Sequence, residues 1–240
     1  MKNLNRKINI SFQVYNLLKK YKLEASLKEM NRLSKIIKNT IDFNKKLYEI
    51  GTLDDVSLAT TVEELMEIFV LRSHVYHEMG YSNEFPETIK GLNFDKYDEC
   101  SAIVYAKREV ITGTCRLIFD SKNKLPIDAK YTLDNLRNKS KDRGLVEASR
   151  VIIKDLEGLK PEFKLLTIDS YKILASYNLN AVSVMTEEHL KLYKKFGGLS
   201  IEKKFQGYGT LKNEFFLTLW ETSKISPFFK KIFLQNKKVV

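Results

Sequence analysis

The stretch GLVEASRVII, residues 144–153, decides how this sequence is interpreted. Its last letters, VII, predict a buried β-strand, because three branched apolar residues follow one another. Polar residues that come directly before this run are Glu147, Ser149 and Arg150. Charged side chains are seldom buried without a partner. The pattern therefore indicates a polar site where this strand enters the core.

Composition limits the class of protein. The chain has 240 residues, 43% of them hydrophobic, with only 10 glycines and 4 prolines, which is typical of one globular domain with a helical appendage. The first residues, MKNLNRKINISFQVYNLLKKYK, lack the continuous apolar core and cleavage site of a secretory signal. No stretch approaches the roughly 18 apolar residues of a spanning helix. We expect a cytoplasmic protein.

Cysteines and histidines do not predict a metal site. Cys100 and Cys115 form no CxxC pair, and we interpret them as small apolar residues of a reduced protein. The chain has 3 histidines, which lack cysteines at ligand spacing. His74 and His77 share one face of a helix, for which solvent exposure is a better explanation than a metal.

The net charge of +11 is concentrated at the two ends. Residues 1–50 hold 12 basic and 4 acidic residues, and 224–240 hold 5 lysines and no acid, whereas 51–223 are nearly neutral. We predict a basic N-terminal helical extension, a main domain and a basic amphipathic C-terminal tail with these boundaries. Such ends attract an acidic partner. Nucleic acid, an anionic membrane surface and an acidic carrier protein all qualify, although no nucleic-acid motif is present.

The C-terminal sequence ISPFFKKIFLQNKKVV alternates apolar pairs with lysines. Packing in the core or between subunits is one explanation of this pattern. Contact with a carrier protein or with the surface of a membrane, which would place the protein at the inner membrane face, is the other. The sequence leaves both open.

Periodicity predicts helices followed by the order β-α-β-β-β-α-β-α-β-β. The first of about seven strands is VSLATT, residues 56–61. The helix that follows begins after Thr61, with Glu64 completing a capping box, and stops at Gly80. This order fits the GNAT acyltransferase architecture: a mixed α/β fold with a central sheet flanked by helices. A fold alone does not establish an activity.

Polar residues recur in four blocks along this order. Arg72 and Tyr76 share a helix face in LRSHVYHEMGY, Asp95 and Asp98 lie in NFDKYD, and Arg116 interrupts the apolar strand GTCRLI. An arginine in a strand is costly to bury unless carboxylates meet it. Three arginines and three acids therefore predict one mutually neutralising network. From composition alone, an ion-pair network that only supports the fold explains the pattern better than a catalytic site.

These four blocks, with VEASRVII as the last, resemble in content and order the acyl-homoserine-lactone synthases and the long-chain N-acyl amino acid synthases (FeeM-like). Both are GNAT-fold enzymes that take an acyl chain from acyl carrier protein. The resemblance covers about residues 53–155. Lactone synthases usually have tryptophan where this chain has Tyr81, and normally lack a long N-terminal extension. These differences favour the N-acyl amino acid branch.

The resemblance implies a role for each matching residue. It points to Glu147, Ser149 and Arg150 as catalytic residues. Because amide formation needs a free amine, we take Glu147 as the candidate base that removes a proton from the acceptor. Substrate-binding positions that it implies are Arg72, Tyr76, Tyr81, Asp95, Asp98 and Arg116. On an ideal strand Glu147 and Ser149 share a face and Arg150 points away, unless a bulge intervenes. We also expect a nearby arginine to keep Glu147 ionised.

The segment after this strand bears on the acyl donor. KDLEGLKPEF has one glycine and two acids near its start, so it is a poor cradle for the pyrophosphate of coenzyme A. We therefore expect the acyl-phosphopantetheine of acyl carrier protein as donor, no tightly bound cofactor, and an amine or amino acid as acceptor. A lactone synthase that uses S-adenosylmethionine is the alternative enzyme. A catalytically silent GNAT domain that binds a ligand or partner is the alternative of another class.

Overall fold

The computed structural model describes residues 2–50, 53, 55–154 and 161–235, with only the backbone at 2–9. Its α-helices are α1 (Lys2–Lys20), α2 (Leu27–Ile50), α3 (Val62–Glu78), α4 (Asp134–Lys139), α5 (Pro161–Ser176), α6 (Glu187–Tyr193) and α7 (Pro227–Phe229). Its strands are β1 (Ser101–Lys107), β2 (Ile111–Phe119), β3 (Gly144–Ile153), β4 (Leu179–Thr186), β5 (Leu199–Tyr208) and β6 (Leu211–Trp220). No described helix is both long and apolar enough to cross a bilayer.

The six strands form one mixed sheet in the order β1-β2-β3-β4-β6-β5. The strand predicted at 56–61 is wrong: this segment makes only an isolated bridge, between Leu58 and Val104. The cause is local, because Thr61 caps α3 by accepting from the backbone N–H of Glu64, and the Glu64 carboxylate accepts from the N–H of Thr61 in return. The chain therefore turns into a helix before a strand can extend.

The two faces of the sheet are covered differently. On the face that we call the α3 face, Ile103 packs with Leu65 and Phe69 of α3. On the opposite face, which we call the α5 face, Leu117 packs with Leu166 of α5. Helix α6 also covers the α5 face, since its Leu190 packs on Met185 of β4 and Phe216 of β6.

Strands β3 and β4 form the only parallel pair among the six strands, and their pairing is short. It joins Gly144–Glu147 to Leu179–Val182, and it does not continue through the rest of these two strands. The edge of β3 from Ala148 onward is thus unpaired on the side of β4. The sheet opens into a gap that begins beside Glu147.

The basic extension consists of two helices that pack on the main domain. Leu17 and Leu33 join α1 and α2 to the core beneath α3, and the second half of α2 packs on the α5 face near β1 through Leu47. At the other end of the chain, Phe229 and Phe233 are buried in an aromatic cluster. These two residues support core packing, and they are not available to a membrane surface. The last five residues of the predicted tail, 236–240, lie outside the described residues.

Candidate active site

A β-bulge determines where the polar residues of β3 point. Ser149 pairs with Arg116 and Ile152 pairs with Thr114, so two residues of β3, Arg150 and Val151, oppose one residue of β2. Arg150 has φ +51, a left-handed conformation that side chains other than glycine seldom adopt. The bulge rotates the Arg150 side chain to the side of Ser149 and Arg116, whereas regular alternation would place it opposite.

The same bulge changes the burial of the apolar run. Ile152 and Ile153 are buried as predicted, but Val151 is 45% exposed. An extra residue in a strand reverses the alternation beyond it. The expectation that all three residues are buried is therefore wrong for Val151.

Three arginines and two aspartates form one network on the α3 face. Arg72 Nη1 donates to Asp98 Oδ1 at 2.9 Å, and Arg116 Nη1 donates to Asp95 Oδ1 at 2.8 Å and to Asp98 Oδ1 at 3.1 Å. Arg150 Nη2 donates to Asp95 Oδ2 at 2.8 Å. The network contains three positive and two negative groups, so the predicted neutralisation is incomplete.

The loop that carries the aspartates is fixed by its own hydrogen bonds. Asp95 Oδ1 accepts from the Tyr97 N–H at 2.8 Å, and Asp98 Oδ2 accepts from the Asp95 N–H at 2.8 Å. These bonds form a capping box on the short 3₁₀ helix Lys96–Cys100. The motif NFDKYD thus folds into a rigid turn that presents both carboxylates to the arginines.

Burial divides the network into an inner and an outer part. The side chains of Arg72 and Asp98 are 0% exposed, whereas that of Asp95 is 30% exposed. Burial lowers the pKa of Arg72. Burial alone would raise the pKa of Asp95, but Arg116 and Arg150 outweigh it and hold that pKa well below the usual range. The inner pair supports the fold, whereas Asp95 is partly exposed and holds the Arg150 side chain, which is 9% exposed, beside it.

Aromatic rings support Arg150 and Arg72 from one side. The Arg150 guanidinium lies 5.6 Å from the ring centre of Tyr76 and 5.4 Å from that of Phe85. These two rings stack on each other with centres 4.5 Å apart. Arg72 lies 5.6 Å from the Phe69 ring. Such contacts between cations and rings orient the guanidinium planes.

Glu147 stands apart from the ion pairs. Its Oε2 accepts from the Ile127 N–H at 2.9 Å, and it takes part in none of the salt bridges found in the described residues. Burial raises its pKa to about 7, against the smaller opposing effects of the Ile127 N–H and Arg116. The expectation that an arginine keeps Glu147 ionised is therefore wrong, because the arginines bind the aspartates instead.

The remaining predicted residues occupy different positions. Ser149 Oγ accepts from Arg116 Nε at 3.2 Å, so Ser149 belongs to the network. Tyr81 is half-buried against the cluster beneath α3, where its N–H donates to the Tyr76 carbonyl at 2.7 Å. It makes no described hydrogen bond to the arginines or aspartates.

Sequence reasoning missed several residues of the site. Asn93 accepts a hydrogen bond from Arg150 Nη1, although it is the first letter of the NFDKYD motif. Phe85 lies in a polar loop and gave no signal. Tyr208, at the end of β5, packs beside Ile127, and its pKa is raised by burial and by the charge of Glu147.

The arrangement offers a base, cations and a gap, but no grouping of metal ligands. In the described part of the chain, no three His, Cys, Asp or Glu side chains come together as a metal site needs. A carboxylate with a pKa of about 7 can accept a proton at neutral pH. It lies where β3 and β4 separate, so a substrate group that enters the gap would meet it.

Solved structures share this fold at low sequence identity. FeeM, an N-acyl amino acid synthase from uncultured soil microbes, is 16% identical with a TM-score of 0.50, over 64% of this chain and 87% of FeeM. The AHL synthase LasI is 15% identical with a TM-score of 0.51, over 75% of this chain and 92% of LasI. The CoA-dependent acyl-homoserine lactone synthase MesI is 13% identical with a TM-score of 0.53, over 79% of this chain and 91% of MesI. The GNAT-like architecture is thereby confirmed, with six strands instead of seven.

A search of curated proteins finds no match to this chain. A family model described as N-acyl amino acid synthase FeeM matches residues 67–218, which is more than half of the chain. The matched residues include the complete arginine–aspartate network and Glu147. The resemblance predicted from four short motifs is confirmed, and the chain belongs to the FeeM family of N-acyl amino acid synthases, acyltransferases of the type that also includes the acyl-homoserine-lactone synthases.

Proposed function

We propose that the protein is an N-acyltransferase that moves a fatty acyl group from acyl carrier protein to the amine of a small acceptor, with an amino acid as the first choice. The observation that carries the proposal is the position of Glu147. This carboxylate lies at the start of the gap between β3 and β4, on the α3 face, with a pKa raised by burial to about 7.

Amide formation needs a base of this kind. An ammonium group has no lone pair, so it must lose a proton before it attacks the carbonyl carbon of a thioester. Ionised Glu147 takes that proton directly or through one water, which contributes roughly 10²–10⁴-fold to the rate. The amine then adds to the carbonyl carbon, forming the C–N bond and a tetrahedral oxyanion. When this intermediate collapses the C–S bond breaks, and the second proton of the nitrogen passes to the sulfur, so the carrier leaves as its thiol. Unpaired N–H groups of β3 beyond Ala148 are the natural donors to the intermediate oxyanion.

The outer part of the network suits an acceptor that carries both an ammonium group and a carboxylate. Asp95 is partly exposed and is the natural partner of an ammonium group. Arg150 has a buried Nε without a described hydrogen-bond partner, and the network has one positive charge in excess. A carboxylate on the acceptor would compensate that charge through Arg150. An α-amino acid carries both groups at a spacing that one site can bind.

The donor would reach Glu147 through the gap. The thioester would enter from the α5 face, because the α3 face at this point is occupied by the arginine–aspartate network. The basic ends of the chain favour an acidic donor. The sequence KDLEGLKPEF, of which residues 155–160 lie outside the described structure, has a single glycine, and this composition favours a carrier protein over coenzyme A.

In the test, acyl carrier proteins loaded with acyl groups of several chain lengths are added to the purified protein. Each is combined with a pool of amino acids or with S-adenosylmethionine. Thiol release and product mass are followed together, and coenzyme A thioesters serve as parallel donors. We expect an acylated amino acid. An acyl lactone would instead identify a lactone synthase. No thiol release from any donor would overturn the proposal in favour of a ligand-binding protein on this fold.

A further inference from the structure

The connection between β2 and β3 contains a short 3₁₀ helix, Pro126–Ala129, which we call the 126–129 turn. Proline has no N–H, so Ile127 is the first residue of this turn that can donate. The first N–H groups of a helix have no partner inside it. The Ile127 N–H donates instead to Glu147 Oε2 at 2.9 Å. The 126–129 turn therefore supplies a hydrogen bond that holds the candidate base.

This hydrogen bond fixes one oxygen of Glu147 and leaves the other oxygen available. Among the described residues, Oε2 accepts from the Ile127 N–H and Oε1 accepts no hydrogen bond. Oε1 is therefore the oxygen that can take a proton from the acceptor amine. A base must lie within hydrogen-bond reach of that proton, so the position of the Ile127 N–H helps to determine where Oε1 points.

Asp128 fixes the 126–129 turn from within the same loop. Its Oδ2 accepts from the Leu125 N–H at 2.9 Å, and its Oδ1 accepts from the Leu133 N–H at 3.3 Å. Leu125 and Leu133 are buried, at 1% and 0% exposure. The Asp128 side chain is 6% exposed, and a carboxylate buried to this extent requires a partner of opposite charge. One carboxylate thus determines how the chain enters and leaves the turn.

Arg137 of α4 is that partner. Its Nη1 donates to Asp128 Oδ1 at 2.8 Å, and its Nη2 donates to Asp128 Oδ2. Its Nε donates to Asp120 Oδ2 at 2.7 Å, and its Nη2 also donates to Asp120 Oδ1 at 3.0 Å. Asp120 directly follows β2, which ends at Phe119. The planar guanidinium binds both carboxylates in pairs, and it therefore joins the 126–129 turn to the end of a strand.

We propose that Arg137 is a positioning residue for Glu147, which acts through Asp128 and the Ile127 N–H. The inference rests on the proposed function, since it assigns a support to the base of that reaction. Arg137 makes no described hydrogen bond to Glu147 itself. Without the guanidinium, Asp128 would be a buried carboxylate without its cation, and the 126–129 turn would lose its connection to β2.

The same contacts affect the ionisation of Glu147. Titratable groups that face this carboxylate from the surrounding elements are Arg116, Asp95, Asp128 and Tyr208. Loss of Arg137 would weaken the hydrogen bond from Ile127 that stabilises the ionised form of Glu147. It would also leave the negative charge of Asp128 uncompensated beside Glu147. Both changes raise the pKa of Glu147.

The test compares R137M and R137K with the matched control R143M. Arg143 lies in the same connection and is also half-buried, but it donates to Asn180 and Thr222 and not to the 126–129 turn. Circular dichroism checks that each variant is folded. The protein is labelled with ¹³C at the glutamate carboxyl carbons, and the Glu147 signal is the one that E147Q lacks. NMR then measures the titration midpoint of Glu147 without any substrate.

We expect the midpoint of Glu147 to rise by about one pH unit in R137M, because a hydrogen bond to a charged group contributes on this scale. R137K keeps the charge but cannot bind two carboxylates in pairs, so its midpoint should rise less. R143M should titrate as the wild type does.

Kinetics with the acyl donor and acceptor provide the second readout. The kcat ratio of variant to wild type is taken at each pH, so that the ionisation of the acceptor cancels. For a base that titrates at about 7, the expected rise lowers kcat of R137M about fivefold at pH 7, and the loss should disappear at about pH 9. KM for the acceptor should not change, because Arg137 contacts neither Asp95 nor Arg150.

The outcomes separate this inference from the proposed function. An unchanged Glu147 midpoint in folded R137M, or the same rise in R143M, would overturn the inference even if the enzyme is active. A kcat loss that is equal at every pH would also overturn it, since general damage to the fold has that effect. If R137M does not fold, an unchanged midpoint in R137K decides against the inference. A raised midpoint in a protein that transfers no acyl group from any donor would support the role of Arg137 and overturn the proposed function.

Discussion

Replacing Glu147 by glutamine should raise stability at high pH and abolish most activity. Burial raises the pKa of Glu147 from 4.5 to about 7, so the folded protein prefers the neutral acid. The unfolded chain ionises Glu147 at its ordinary pKa. The unfolding free energy therefore falls as the pH rises from about 4.5 through about 7. At about 1.4 kcal/mol for each pKa unit, the loss is about 3 kcal/mol. Glutamine cannot ionise, and it can still accept from the Ile127 N–H.

Urea denaturation of the wild type and E147Q at pH 5 and pH 8 measures this effect. We expect similar stabilities at pH 5 and a variant that is more stable by about 3 kcal/mol at pH 8. E202Q is a matched control, for which we expect the opposite change in stability. Burial alone would raise the pKa of Glu202, but the hydrogen bonds from Lys139 and Ser200 outweigh it and lower that pKa. This variant should be less stable than the wild type above the ordinary pKa of a glutamate.

Activity provides the second measurement. The rate of the wild type should rise with pH through about 7 as Glu147 ionises, and E147Q should lose roughly 10²–10⁴-fold in kcat. A variant that is less stable than the wild type at pH 8 would refute the burial argument. A folded E147Q with full activity would refute the assignment of Glu147 as base.

Other substitutions test the network, the C-terminal segment and the start of α3. R116A leaves the buried Asp98 and the partly exposed Asp95 with one arginine each. It should cost about 3–5 kcal/mol of unfolding free energy in urea, whereas R116K, which keeps the charge, should cost less. F229A should lose about 3–5 kcal/mol because the ring is 0% exposed, while the exposed neighbour in F228A should change stability by less than about 0.5 kcal/mol. T61A should lose about 1 kcal/mol, since it removes the oxygen that caps α3, and thermal unfolding would detect it.

Local sequence signals predict the elements whose ends are fixed by their own side chains. The pair Thr61 and Glu64 predicts the start of α3, and the structure contains the capping box. Strands with strong apolar patterns, such as the one that contains Arg116, are also confirmed. The segment 56–61 has the pattern of a strand but forms only a bridge at Leu58. Whether a segment pairs as a strand depends on how many of its residues the neighbouring helix leaves in an extended conformation. No local sequence pattern contains that information.

The candidate site is predictable in its residue types but not in its charge distribution. An arginine in an apolar strand requires carboxylates, and Arg116 meets Asp95 and Asp98 as this rule predicts. The sequence does not show that the 3₁₀ turn would present both aspartates to the arginines. Nor does it show that Glu147 would be left without an arginine partner. The ionisation of Glu147 therefore follows from the arrangement of other groups, which only the folded structure reveals.

The bulge at Arg150 accounts for the position of the site in the fold. A left-handed residue other than glycine costs roughly 1–2 kcal/mol, and such strain persists only where surrounding contacts compensate it. Here the compensation comes from hydrogen bonds to Asp95 and Asn93 and from the rings of Tyr76 and Phe85. The same irregularity turns a cation toward the α3 face only three residues after Glu147. β3 stops pairing with β4 at that glutamate. A base, a cation and an opening for the donor are therefore brought together within four residues, because the strand departs from regular geometry there.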